Sequence, residues 1–434
     1  MILIYTDSIT SRVSYTMDLV FGSVLGASYK LTNNKKEFDE CNVPKMAYTS
    51  SVINAEVFIQ SNSLLFETDI NSILPVAETQ YVDFPKFFKS NTTDFLEYDL
   101  FAMVFYIATR YEEYLDPVKD NHQRFLAENS LAFQYNCLHT PILNVAIQQF
   151  SDKLKLKFPE LTFKTRAFNF LSTIDIDNAF AYANKGLKRN LGGLAKDMLS
   201  LKLDKVSLRI KSNMDDTKDP YNTFGLINQL SKETQIALQY FVLIGDYATY
   251  DKNPNHQNEG FRKLLKSLSI DFAVGLHPSY ESYNQPEKIG IEKRRLEDVI
   301  GKEITSARCH FLRVNLPETY REFVKQGITD DYTMIYASQS GFRTGLCVPY
   351  KWFDLKKNES TNLTIHTSVV MEGILRDYNK LSMENAKATT LNLLSEVKKY
   401  GGEFISIFHN DSFVSEQREW IEVYKTILQN SNNS

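Results

Sequence analysis

Phe168-Asn169-Phe170-Leu171-Ser172-Thr173-Ile174-Asp175-Ile176-Asp177 is the stretch on which the reading of this chain turns. An apolar run closes in two aspartates with one residue between them. In an extended strand residues i and i+2 face the same side, so Asp175 and Asp177 project together from the end of a buried strand. Neighbouring carboxylates repel unless a cation, a proton or a donor network compensates them. One reading is a metal-bound pair with acid–base work to do. The competing reading is a strand running into an Asx turn, with both carboxylates capping backbone.

Working outward, apolar strands and helical segments alternate from about residue 160 onward. Strands are expected near residues 172, 240 (Ile236–Ile244), 274 (Phe272–Leu276), 309 (Ala307–Leu312), 335 (Thr333–Ala337), 365 (Leu363–Thr367) and 406 (Phe404–Phe408). Between them lie the Lys-rich helical region Ala179–Met214 and the helices Tyr221–Ser231, Phe261–Leu268, Ile289–Gly301, Pro317–Gln326 and Lys380–Tyr400. The last of these is stopped by Gly401-Gly402. This order implies an α/β fold, with a parallel sheet or barrel and helices outside. Polar residues concentrate where the strands end, which is where such folds place their chemistry.

The N-terminal part reads differently. Ile2–Tyr5, Lys45–Tyr48, Val57–Gln60 and Leu64–Phe66 are strand candidates, and Ser11–Leu25, Tyr98–Leu115 and Pro141–Leu154 are helix candidates. The polar end Arg110-Tyr111-Glu112-Glu113-Tyr114 reads as a solvated face or cap. Leu156–Phe163 with Pro159 reads as a connector, so the expectation is an α+β domain over 1–160 and an α/β domain over 161–434.

Composition excludes several classes. The 434 residues are 43% hydrophobic and 24% charged, which suits a globular protein with a large core. A net charge of −4 without a basic stripe argues against a nucleic-acid partner. No run approaches a membrane span, and Met1-Ile2-Leu3-Ile4-Tyr5 reads as a first strand, not a signal peptide. Cys41, Cys137, Cys309 and Cys347 are far apart, without CxxC spacing, so a reducing cytoplasm is expected. The sequon Asn91-Thr92-Thr93 is then a chance match.

Two more buried strands end like the first. FAVGL ends in His277, where Pro278 fixes a turn, and FISIF ends in His409. Each histidine alone reads first as a hydrogen-bonded structural residue. Together with Asp175 and Asp177 they offer the oxygen and nitrogen ligands of a catalytic Zn²⁺-type ion, and a histidine able to protonate a leaving group. Arg308 and His310 share a face by alternation, and a buried Arg308 needs a carboxylate such as Asp175 or Asp177. Tyr280, Arg313, Arg343 and Trp352 are candidate substrate contacts. Arg343, between glycine-flanked turns, suits an anionic group. Trp352 with Tyr350 suits sugar stacking, although both serve equally as core aromatics.

The order Thr173-Ile174-Asp175-Ile176-Asp177, Gly275-Leu276-His277-Pro278-Ser279-Tyr280, Arg308-x-His310-Phe311-Leu312-Arg313, Gly341-Phe342-Arg343-x-Gly345 and Phe408-His409-Asn410 resembles the polysaccharide deacetylase (NodB-like) superfamily. It looks most like a Bacteroidetes-type branch with an extra N-terminal domain. The resemblance implies a distorted (β/α)7 barrel that hydrolyses N- or O-acetyl groups on glycans with a divalent metal, most often zinc. It implies Asp175 as base, Asp177 and His277 as metal ligands, His409 as general acid and Arg308 as the group that orients the base. Two departures stand out. Ile176 separates aspartates that the family keeps adjacent, and Glu281 occupies the place of the family's second metal histidine, where it either ligates through oxygen or faces solvent; His310, one strand over, is the alternative third ligand. The expected function is a metal-dependent deacetylase of a glycan or of a nucleotide- or lipid-linked sugar. The alternatives are a non-catalytic glycan-binding or assembly protein on the same scaffold, and a glycoside hydrolase pairing an aspartate with a distant carboxylate such as Glu372.

Overall fold

The computed structural model describes residues 1–77, 84–90, 95–414 and 418–431. The Asn91 sequon and the final residues of the Asn/Ser tail lie outside them. Strands β1 (Ile2–Thr6), β2 (Tyr29–Thr32), β3 (Lys45–Thr49) and β4 (Val57–Gln60) form a sheet in the order β2-β1-β3-β4. All its pairings are parallel. Parallel neighbours need crossover connections, so the N-terminal region is α/β, not the expected α+β. The expected strand at Leu64–Phe66 is a single 3₁₀ turn, Ser63–Phe66, capped by the Asn62 side chain.

The second sheet has nine strands: β5 (Phe168–Ile176), β6 (Ala237–Val242), β7 (Ala273–Leu276), β8 (Ser306–Ala307), β9 (Asp330–Asp331), β10 (Tyr350–Asp354), β11 (Glu359–Ile365), β12 (Val370–Met371) and β13 (Gly402–His409). Their order is β10-β11-β9-β8-β7-β6-β5-β13-β12. Only β10 is antiparallel to its neighbour. Among the described residues the pairings do not close the expected (β/α)7 barrel: β10 and β12, at the two ends of the sheet, do not pair with each other. The backbone between β11 and β12 does reach both flanks: the Ser368 N–H donates to the Met334 carbonyl at 3.2 Å, and the Val369 N–H to that of Ile405 at 2.9 Å.

Two expected strands largely fail to form for local reasons: of Ala307–Leu312 only Ala307 is strand, and none of Thr333–Ala337 is. β8 stops after Ala307, and Phe311 and Leu312 turn into the left-handed region at φ 59° and 57°. β9 ends at Asp331, whose carboxylate accepts from the Thr333 N–H at 3.1 Å and from the Tyr320 hydroxyl at 2.6 Å, closing an Asx turn.

The two sheets share one continuous hydrophobic core. Every residue of the helix Leu100–Ala108 is buried. The expected solvated face after it is buried as well: Arg110 lies 2% exposed, between Glu112 and Glu113. No helix among the described residues is long and apolar enough to cross a membrane.

Candidate metal centre

Five neighbouring strands, β8-β7-β6-β5-β13, bring their C-terminal ends to one cleft. β5 supplies Asp175 and, one residue past its end, Asp177. β7 leads into His277, β8 into Arg308 and His310, and β13 ends in His409. A cavity of about 270 Å³ opens there, lined by Asp175, Asp177, His277, His310 and His409, with Arg124 reaching in from the N-terminal region.

Asp177 is the hub. Its Oδ1 lies 3.1 Å from His277 Nε2, and its Oδ2 lies 3.3 Å from His310 Nε2 and 3.7 Å from His409 Nε2. Each imidazole is fixed by its other nitrogen. His277 Nδ1 sits 2.5 Å from the Arg308 carbonyl oxygen. A carbonyl only accepts, so Nδ1 carries the proton, and in the tautomer protonated there alone Nε2 presents a lone pair. His310 Nδ1 lies 2.9 Å from Asp251 Oδ1, and His409 Nδ1 lies 2.7 Å from Glu372 Oε1. Both carboxylates are fully buried. A buried carboxylate or carbonyl behind the imidazole is the arrangement that orients metal-ligating histidines.

The electrostatics follow from this crowding. Burial works against ionisation of Asp177, but the charges on His310 and His409 outweigh it and hold the carboxyl well below its usual range. Burial pushes the His310 imidazole down, and Asp177 and Asp251 override it, raising it to about 9.

A divalent cation fits here. The ligand atoms of Asp177, His277 and His310 lie within 4.8 Å of one another. Among the described residues Asp177 Oδ1 is buried without a hydrogen-bond partner, and it faces the His277 lone pair. Two electron-rich atoms held together in this way call for a positive charge between them. One carboxylate oxygen and two imidazole nitrogens leave coordination positions for water or substrate, as catalytic zinc sites do.

Asp175 stands beside this group, 2% exposed. Its Oδ1 accepts from Arg308 Nη1 at 2.7 Å, and its Oδ2 lies 3.8 Å from His277 Nε2. Arg308 is itself fully buried. It also donates to Thr173 Oγ1, the Tyr332 carbonyl and Ser368 Oγ, so its guanidinium is anchored from several strands at once.

The remaining sequence candidates fall outside the cleft lining. Tyr280 packs with Tyr250, His122 and Phe311, and its hydroxyl lies 3.0 Å from His122 Nδ1. Arg313 lies 3.7 Å over the Tyr280 ring and donates to the carbonyls of His122 and Tyr280. Both support the rim. Arg343 is turned away, held by both oxygens of Glu113. Trp352 is a core residue, 4% exposed against Tyr320, because its face of β10 points into the shared interior. Glu281 stands on the 3₁₀ turn Tyr280–Tyr283, outside the cleft lining, and it is His310 that lies with Asp177 and His277. Sequence reading missed Asp251 and the role of Glu372. Each is a lone acidic residue without a motif around it, brought to its histidine across 59 and 37 residues.

Residues 2–159 match the model of a family of unknown function, DUF7033. No curated protein matches. Among solved structures, a candidate polysaccharide deacetylase from Mycobacterium smegmatis aligns at 13% identity and a TM-score of 0.40, over 61% of this chain and 85% of that one. A polysaccharide deacetylase from Bacillus cereus aligns at 13% identity and a TM-score of 0.31, over 60% and 86%. A variant of a CE4-family pseudoenzyme with restored enzymatic activity aligns at 11% identity and a TM-score of 0.27, over 64% and 79%. At such scores the chemistry has to be read from the cleft itself.

Proposed function

We propose that this protein is a metal-dependent hydrolase that removes N- or O-linked acetyl groups from a sugar-containing substrate. One observation carries the reading: the Asp177 carboxylate faces the Nε2 atoms of three histidines, each oriented from behind, with a separately anchored Asp175 alongside. Asp177, His277 and His310 would hold the cation, for which zinc is the best match to an oxygen and two nitrogen donors. When bound, the cation supplies Lewis acidity toward an acyl carbonyl and toward water.

The protein's own groups supply the rest. Arg308 pairs with Asp175 and fixes its direction, so Asp175 is the group placed to take a proton from the attacking water. His409, with Nδ1 committed to Glu372, presents Nε2 to the cleft as the donor to the departing amine or alkoxide. Glu372 is fully buried behind His409, with Oε1 engaged by His409 and Ser412 and outside the cleft lining, which argues against a glycosidase role for it.

The β11–β12 segment, bonded on both flanks, supports a distorted (β/α)7 barrel, and the division near residue 160 separates two sheets that share a core. Four free cysteines, three of them buried, suit a reducing compartment.

The test combines metal content with acetate release from a panel of acetylated sugars. The full chain is expected to hold about one divalent ion, as a mononuclear site requires. Asp175→Asn is expected to abolish acetate release with the metal retained, and His277→Ala to lose the metal. A purified protein without metal, whose melting temperature is unmoved by added zinc, overturns the reading. Metal and sugar binding without acetate release selects the glycan-binding alternative.

A further inference from the structure

The helices Leu187–Leu199 and Leu203–Met214 invert the usual arrangement of polar and apolar residues. Only Asp197 and Ser212 are buried in them. What joins the two helices is polar. Arg209 Nη2 bonds Asp197 Oδ2 at 2.8 Å, with both side chains mostly buried, and Asn190 Nδ2 donates to Asn213 Oδ1 at 2.7 Å. Gly193 permits the approach, since a Cβ there would stand 2.6 Å from the Arg209 guanidinium.

The apolar residues point outward. Leu187, Leu191 and Met198 repeat at helical spacing along the first helix, and Leu203, Ile210 and Met214 along the second, all of them exposed. Leu199 and Leu201, at the connecting turn, are 87% and 83% exposed. These stripes are flanked by exposed Lys188, Lys196, Lys202, Lys205 and Lys211. Residues 185–214 hold eight basic and two acidic side chains, a net +6 in a chain whose total is −4.

We infer that this helical hairpin is an interfacial docking element for an anionic lipid bilayer. Outward apolar stripes bordered by lysines match the composition of helices that lie in the headgroup region, where the apolar face enters the acyl boundary and the cations meet anionic lipids. The charge contrast with the rest of the chain sets which part faces the membrane. The hairpin follows directly on β5 and Asp177, so it lies on the connection leaving the cleft end of the sheet. The inference does not depend on the hydrolase reading.

Flotation of the full chain tests it, using phosphatidylcholine vesicles with and without roughly a quarter phosphatidylglycerol. Binding is expected to the anionic vesicles and to fall at least about tenfold without the anionic lipid, in high salt, or in Lys202→Glu/Lys205→Glu. Leu199→Ser/Leu201→Ser is expected to weaken it similarly, with circular dichroism, melting temperature and metal content unchanged, because both side chains stand free of the core. Absence of flotation overturns the inference, as does undiminished binding by the leucine variant. It is also overturned if light scattering finds a dimer that the leucine variant dissolves, since a second copy then covers this face. Hydrolysis of a small soluble acetyl ester is expected to be the same in both variants, so failure of membrane binding and failure of the hydrolase reading are separately visible.

Discussion

Glu372 grips His409 twice: its Oε1 accepts the His409 backbone N–H at 2.9 Å and the ring Nδ1–H at 2.7 Å. The backbone bond fixes where the strand ends and the ring bond fixes where the imidazole points, leaving Nε2 toward Asp177. Glu372→Gln should therefore lower kcat by about 10- to 100-fold with KM and metal content nearly unchanged, as expected for a residue that positions a general acid. Steady-state kinetics with metal analysis decides it. An unchanged kcat removes His409 from the proton-donating role.

Asp251 stands behind His310 in the same way, and its Oδ1 also accepts the Tyr280 N–H at 2.9 Å. Asp251→Asn keeps an acceptor for that amide but loses the charge behind the ligand. Zinc affinity, measured by competition with a chelator, should fall about 10- to 100-fold, the range for partners behind metal histidines.

Glu113 neutralises Arg343 and Arg110 together, with a side chain only 6% exposed. Glu113→Ala leaves two buried guanidinium groups short of a partner, and urea denaturation should show a loss of about 3–5 kcal/mol. Asp271→Ala is the control. Its bond to Lys232 is 49% and 61% exposed on the two sides, so its removal should change stability by about 1 kcal/mol or less.

His366 lies between Asp330 at 3.1 Å and Glu403 at 2.7 Å. Burial pushes its imidazole down, but the two carboxylates push it up to about 9. The folded state thus holds this proton more tightly than the unfolded chain, where the ordinary value is about 6.5. The resulting stability is complete below about pH 6.5 and is lost as pH rises through about 9, on the order of 3 kcal/mol in all. Melting temperature followed from pH 6 to 10 should fall more steeply for the natural protein than for His366→Gln.

Much of the cleft was legible because long apolar runs end abruptly in Asp175, His277 and His409, and parallel strands carry such ends to one side. His310 reaches the site although its segment is not a strand. Alternation places it on the face of Arg308, and it lies there although β8 ends at Ala307 and the left-handed residues Phe311 and Leu312 follow. β10 escaped notice because Pro349 and the mixed Tyr350-Lys351-Trp352-Phe353-Asp354 run lack a strand's alternation. Arg343 resembled a ligand contact because its partner, Glu113, lies 230 residues earlier. Arg110 resembled a surface residue because the groups that cover it, Tyr336 and the Arg343 carbonyl, come from the distant connection between β9 and β10. Local patterns report an element's own faces; they are silent about which distant side chain meets them.

The outer edge of β10 has a consequence of its own. Tyr15 caps it, its hydroxyl donating to the Lys351 carbonyl at 2.8 Å, and Arg12 reaches Asn358 Oδ1 at 2.8 Å in the turn that follows. An uncovered strand edge is a template for pairing with other chains. The first helix of the chain thus acts as a built-in guard against self-templated assembly, and a fragment beginning near residue 161 should be recovered as insoluble aggregate where the full chain stays dispersed.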